Sequence, residues 1–498
     1  MHELKIVGGS VIDGSGAEPR ECEIAVDSGR VTEVGPDVGP SDRLINAAGM
    51  YVSPGFIDPH SHACHEGLGS ILHAPTAPSA VLQGVTSIVT GMCGYSPLEI
   101  GHHLDAVAEN QTALNYCLAI GHNSIRRHVM DHRASAPTAG ELDSMKALTA
   151  AGMRQGAVGL SSGLWYVPGA YAEIDEVAEL AKVAAEHGGI YASHVRSEDA
   201  ETGPAALDEA IEIGRRAHIP VQIAHLKAAE RPAWGQGSER LAILERARAD
   251  GVDVQADAYP YTASATNLNV MLPPEAFEGD GLAAKLDDAA MVSKFREHME
   301  ARLDRIGGTD RVLITAAYLS NAVGRRLNEV AEDVGLDAYD VVVDLILGGP
   351  TSAIYFVMDQ ADVDTIVTNP LVMIGSDSSV RRVGEGMCHP RTWGTFPKVL
   401  ARYARELGTL SWGQAVAKMT GQSAAQFGLV DRGVLREGAW ADVVIFDPKA
   451  IADHAAYDDP HQAPSGVRQV LVNGETVALD GLVTGALPGH VIRGRVAD

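Results

Sequence analysis

The sequence predicts an α/β protein built around a TIM-like (β/α)8 barrel. Three observations lead there. The middle of the 498-residue chain alternates short apolar strands with amphipathic helices, the pattern of parallel strands joined by crossovers. About eight such units fit. Residues able to do chemistry recur at the ends of those strands, where barrel enzymes build their sites. The pattern alone leaves a doubly wound sheet open.

The first 54 residues read differently. "LKIVGGSVID", "CEIAVDSGRVTEVG" and "RLINAAGMYVSPG" alternate apolar and polar residues and break at Gly, Asp and Pro, as short strands do. The C-terminal part, 429–498, repeats the style in "ADVVIFDP" and "VRQVLVNGETVALDG". Two β-rich ends around a different middle predict one small β-sandwich assembled from both termini. Between them, with 55–428 as the barrel unit, "YVSPGFIDPHSH", "VTSIVTGMCG", "AVGLSSGL", "GIYASHV", "PVQIAHLK", "DVQADAYPY", "SAIYFVM" and "LVMIGSD" read as buried strands. "IDEVAELAKVAAEHG" has helical apolar spacing and a C-terminal stop at Gly188. The stretch at about 272–349 breaks the rhythm with charged helices and one strand, "RVLITAAY". It reads as a lid-like or structural insertion before the last barrel strand.

Composition narrows the partners. Thirty-nine basic and 65 acidic residues leave a net charge of −26, which disfavours nucleic acid and anionic membranes. No apolar run reaches the roughly 18 residues of a membrane span. The five cysteines are odd in number and scattered, which argues against a disulfide framework and fits a reducing cytoplasm. The N-terminus lacks the regions of a signal peptide.

The chemistry begins at His60 and His62. Residues i and i+2 of a strand share a face, so two imidazoles there can share a metal. Cys64 and His65 follow beyond the strand end and read as loop residues. Cys93, between Gly91 and Gly94, is either a small buried hydrophobe or a thiolate ligand. His194 and His225 close successive strands in matching places. Asp377 closes the last strand and is either a turn residue or a catalytic carboxylate. Together these supply N and S ligands for Zn²⁺ and a group to accept a proton from water.

At these residues the chain resembles the amidohydrolase superfamily and, within it, the D-aminoacylase (N-acyl-D-amino-acid deacylase) family. The likeness runs through "PGFIDPHSH", "QGVTSIVTGMCG", "SSGLWYVPG", "SHVRSE", "IAHLK", "DAYPYTASATNL", "IGSDSS", "HPRTWGTFPKVL" and "LREGAWADVVIFDP". It implies that Cys93, His194 and His225 hold one tightly bound zinc. His60 and His62 then line a second, weak site, and Asp377 is general base and acid. Many relatives bridge two metals through a carbamylated lysine on the fourth strand. "GAVGLSSGLWY" has no lysine, and Cys93 is its implied substitute. Lys227 and Arg391 are implied to pair with a substrate carboxylate, with Tyr166, Tyr259 and Ser264 nearby. The implied reaction is zinc-dependent hydrolysis of small-molecule N-acyl-D-amino acids to a carboxylate and a free D-amino acid. A hydantoinase- or dihydroorotase-like cyclic-amide hydrolase is the runner-up, and a non-catalytic metal-binding barrel a remote third. The chain departs from the resemblance at "ACHEG", which brings Cys64 and His65, and at the segment carrying Arg381 and Arg382. Both are expected at the pocket mouth.

Overall fold

The computed structural model describes residues 1–65 and 67–494. It is an α/β structure with mixed sheets. Among the described residues, two parallel series organise the middle of the chain. Phe56–Asp58, Val85–Thr90 and Asn115–Leu118 lie side by side, with Val85–Thr90 in the centre. One residue later Ile120–Gly121 opens the second series. Gly159–Gly163, Ile190–His194, Val221–Ile223, Val254–Ala258 and Val372–Ile374 follow in spatial order. Past the last strand the chain meets the first again. The His62 amide donates to the Ser378 carbonyl at 2.8 Å, and the Asp377 amide donates to the His60 carbonyl at 2.9 Å.

Both faces of these strands are covered. Val85–Thr90, Gly159–Gly163 and Ile190–His194 are buried at every residue. Such strands need near-continuous small or apolar side chains. The covering helices present one apolar stripe. Ile174–Glu186 buries Val177, Ala178, Leu180, Ala181 and Ala184, and the chain then turns through Gly188 at φ 70°. Gly203–Ala217 carries Pro204 in its first turn, where no amide hydrogen is needed, and buries Leu207, Ala210, Ile211 and Ala217.

Two elements differ from the sequence reading. Asn115–Leu118 is a parallel strand that the apolar pattern did not single out. Ser352–Tyr355, read as one of the buried strands of the central pattern, pairs antiparallel with both Ser264–Asn267 and Val312–Ala316. These three strands, spanning Ser264 to Tyr355, form an antiparallel sheet around the stretch at about 272–349 that the sequence reading expected as an insertion. That stretch includes the helices Ala289–Ile306, Leu327–Val334 and Ala338–Leu347.

The termini meet in one sheet. Tyr51–Pro54 pairs antiparallel with Val443–Phe446. A second sheet holds His2–Val7, Glu23–Asp27, Arg30–Gly35 and Ser41–Asn46. Leu4, Ile6, Ile24, Val52, Val443 and Leu471 form a common core between the two sheets. No helix among the described residues is long and apolar enough to cross a membrane.

Candidate functional site

The strand ends deliver their side chains to one place. His60 follows Phe56–Asp58, His194 closes its strand, His225 lies two residues past Ile223, and Asp377 lies three past Ile374. Cys93 reaches the site through a tight turn after Val85–Thr90. Its own φ is 55°, and Gly91 and Gly94 lie at 80° and 83°. The turn lies hard against the fourth strand, where a Cβ on Gly163 would stand 2.2 Å from the Cys93 carbonyl oxygen.

Two groups of possible metal ligands share Cys93: Cys93, His194 and His225, and His60, His62, Cys93 and Asp377. Cys93 Sγ lies 3.6 Å from His194 Nδ1 and 3.7 Å from His225 Nε2. A tetrahedral zinc with Zn–S about 2.3 Å and Zn–N about 2.0–2.1 Å spaces S and N by about 3.5 Å. The two histidine nitrogens stand 2.6 Å apart, closer than such an ion would hold them. Donor types and sulfur–nitrogen spacings fit zinc. In the second group His62 Nε2 lies 2.8 Å and His60 Nε2 3.3 Å from Asp377 Oδ1, and His60 Nε2 lies 3.4 Å from Cys93 Sγ.

The electrostatics favour charged ligands. Burial pushes the Cys93 thiol up, but charge on His60 and hydrogen bonds from His194 and His225 prevail and hold it well below its ordinary value. Burial also pushes the Asp377 carboxyl up; the Arg391 guanidinium and the charges of His60 and His225 prevail, keeping it well below the usual carboxylate range. Both are poised as anions.

Two carboxylates that the sequence reading did not weigh complete the cluster. Asp257 accepts from His60 Nδ1 at 3.0 Å and from the His225 amide at 2.9 Å. Glu198 lies 3.1 Å from His225 Nδ1 and accepts from Lys227 Nζ at 2.6 Å. A carboxylate on the far nitrogen fixes the tautomer and orientation of a ligating imidazole. Asp257 had a legible signal, since it sits on the strand "VQADA" in the register of the other strand ends. Glu198 had only its place after "SHVRS".

Of the residues implied to hold substrate, three gather around one ring. Lys227 Nζ is 5.9 Å and Arg391 Cζ 4.5 Å from the Tyr259 ring centre. Lys227 donates to Glu198, and its Nζ stands 2.7 Å from His225 Nδ1. Arg391 Nη1 lies 2.9 Å from Asp377 Oδ2. The Tyr259 hydroxyl is buried without a partner. Tyr166 and Ser264 instead line an adjoining cavity of about 570 Å³, and the Tyr166 ring centre stands 4.6 Å from that of His194.

The residues expected at the pocket mouth divide. Cys64 is buried, its Sγ 3.8 Å from the Tyr95 carbonyl oxygen, so it belongs to the core and not to the rim. His65 is exposed and stacks on His62 at 5.7 Å. Arg382 is exposed and pairs with Glu385, and neither it nor Arg381 lines the cavity.

A sequence model described as the amidohydrolase family matches residues 43–478. The chain belongs to the amidohydrolase family. This amidohydrolase is similar to the D-aminoacylase of Alcaligenes xylosoxydans xylosoxydans, with 35% identity covering 98% of this chain and 97% of the relative. It is 36% identical to the N-acyl-D-aspartate deacylase of the same organism, over 98% of this chain and 94% of the relative. A solved structure of N-acyl-D-glutamate deacylase from Bordetella bronchiseptica superposes with a TM-score of 0.84 and 34% identity, covering 99% of both chains. That structure is complexed with zinc and with a phosphonate inhibitor that mimics the tetrahedral intermediate of the reaction.

Proposed function

We propose that this amidohydrolase hydrolyses N-acyl-D-amino acids in a zinc-dependent reaction, releasing a carboxylate and a free D-amino acid. The observation that carries the reading is the convergence of Cys93, His194 and His225 on one point, with Asp377 and His60 across the same sulfur. The relatives supply the substrate class and the D-configuration.

In this reading Cys93, His194 and His225 hold the tightly bound zinc, and His60 and His62 line a weaker neighbouring site. Zinc, when bound, supplies Lewis acidity that activates water and polarises the scissile carbonyl. The chain's own residues do the rest. Asp377 takes the proton of the attacking water and returns it to the leaving nitrogen. Arg391 holds Asp377 ionised beforehand. Asp257 and Glu198 fix His60 and His225. Tyr259, Lys227 and Arg391 form the seat for the α-carboxylate, where the unpartnered Tyr259 hydroxyl and the guanidinium fork await an acceptor. Lys227 takes part by turning from Glu198. Tyr166 and Ser264 face the rest of the substrate in the adjoining cavity.

The architecture is proposed in the same sense. Counting Asn115–Leu118 and Ile120–Gly121 as one interrupted strand, the eight parallel strands close as a (β/α)8 barrel through the contacts between residues 60–62 and 377–378. Residues 55–428 make the catalytic unit, with 1–54 and 429–498 forming one β-sandwich. The five free cysteines support a cytoplasmic setting.

The test is turnover of N-acetyl-D- and N-acetyl-L-amino acids and of hydantoins by zinc-loaded protein. The expected result is hydrolysis of the D-acyl compounds, with little turnover of the L-forms or the rings. Preference for a cyclic amide would overturn the assignment.

A further inference from the structure

We propose that the substrates of this enzyme carry a second carboxylate, recognised by Arg302 of the inserted helix Ala289–Ile306. The inference deepens the reading above and rests on it. The three relatives differ in the substrate each is named for, yet stand at 34–36% identity, so overall likeness does not choose among them. The cavity beside the metal ligands does.

Trp165 forms the partition. One side of its ring stacks on His194, centre to centre 5.5 Å, and the Arg302 guanidinium lies 4.8 Å from the same ring. Arg302 is 7% exposed and lines the cavity. Its Nη1 donates to the Val270 carbonyl at 2.9 Å, but its Nε is buried with no partner. A buried guanidinium donor left unmade is costly unless a ligand fills it.

Charge in the cavity is uncompensated at this point. Glu230 is the acid nearest Arg302, at 3.8 Å, and it is already bound to Arg305 at 2.6 Å. Two guanidinium groups thus share one carboxylate. Arg196 also borders the cavity, but it forks onto Glu209 at 2.9 and 2.8 Å and has little left to offer. Glu198 is neutralised by Lys227. Arg127 and Asp199 also line the cavity and cancel in formal charge, so one net cation remains, carried on planar forks suited to a carboxylate. The second carboxylate belongs either to the amino-acid side chain or to the acyl group, since both would extend from the scissile amide.

The experiment measures kcat/KM of the zinc-loaded full chain with N-acetyl-D-leucine, N-acetyl-D-aspartate, N-acetyl-D-glutamate and N-succinyl-D-leucine. It is repeated with Arg302→Met and Arg302→Lys, and glutarate binding is followed by calorimetry. At least one acidic substrate should exceed N-acetyl-D-leucine by about tenfold or more, mainly through KM. Arg302→Met should shrink that ratio about tenfold, with partial recovery in Arg302→Lys. The winning acidic compound locates the carboxylate on side chain or acyl group. A wild-type preference for N-acetyl-D-leucine, or an Arg302→Met variant slowed equally on all four compounds, overturns the proposal. If no N-acyl-D-amino acid is hydrolysed, the reaction assignment fails, and glutarate then decides alone. Binding weakened about tenfold in Arg302→Met sustains the carboxylate site, and equal binding removes it.

Discussion

Cys93, His225 and Asp377 all hold left-handed backbone, at φ 55°, 36° and 48°. Such positions cost about 1–3 kcal/mol each in a non-glycine residue and persist where surrounding structure dictates them. Here the strain aims a thiolate, an imidazole and a carboxylate at one point. Asp377→Asn removes the proton acceptor but no ligand of the tight group. It should keep one zinc per chain by metal analysis while kcat falls by about 10²–10⁴. Cys93→Ala removes the sulfur common to both ligand groups. Dialysed protein should then retain well under one zinc per chain. Glu198→Gln leaves every proposed ligand in place but weakens the orientation of His225. Zinc affinity should fall about 10- to 100-fold in a competition titration with a chelator. Unchanged affinity would remove Glu198 from that role.

At the scale of elements, the site depends on how closely neighbouring strands approach. The fourth strand, Gly159–Gly163, ends in a residue with no side chain because the Cys93 turn occupies that space. Gly163→Ala would force the turn away, so zinc retention should drop together with activity while the far-UV circular dichroism stays native. The helix Trp412–Lys418 shows a different tension. Lys418 is 4% exposed, and burial pushes its ammonium down to about 7 from an ordinary 10.5. Above pH 7 the folded chain tends to hold this lysine neutral while the unfolded chain keeps it charged. This contribution therefore makes stability rise with pH between about 7 and 10.5. Lys418→Met should raise the Tm by a few degrees at pH 7, with the gain shrinking toward pH 10. A gain independent of pH would show that packing, and not charge burial, is responsible.

Across the whole molecule, the metal ties together strands that are far apart in sequence. A ligand that binds only the folded state stabilises it by mass action. Chelation should therefore lower the Tm by several degrees and abolish hydrolysis, and zinc should restore both. Most of the elements that carry the site were legible in the sequence. Ile190–His194 and Val221–Ile223 announce themselves as apolar runs closed by histidine, and Ile174–Glu186 by its helical stripe. Asn115–Leu118 did not, because "NYCL" is four residues long with two polar-capable side chains and lies just before a helix. Ser352–Tyr355 looked like one of the central parallel strands because a buried antiparallel strand and a buried parallel strand have the same composition; only the pairing partner differs.

The sequence by itself determined the chemistry available to this protein. Ligand types, their place at strand ends and the periods of strand and helix are local properties, written within a few residues. Tertiary structure alone decided who meets whom. It let one sulfur serve both ligand groups, put Asp257 behind His60, and tied Lys227 to Glu198. It also set two arginines from a distant helix against a single glutamate. Those outcomes depend on pairing and packing between segments separated by tens to hundreds of residues, where no local pattern carries the distance.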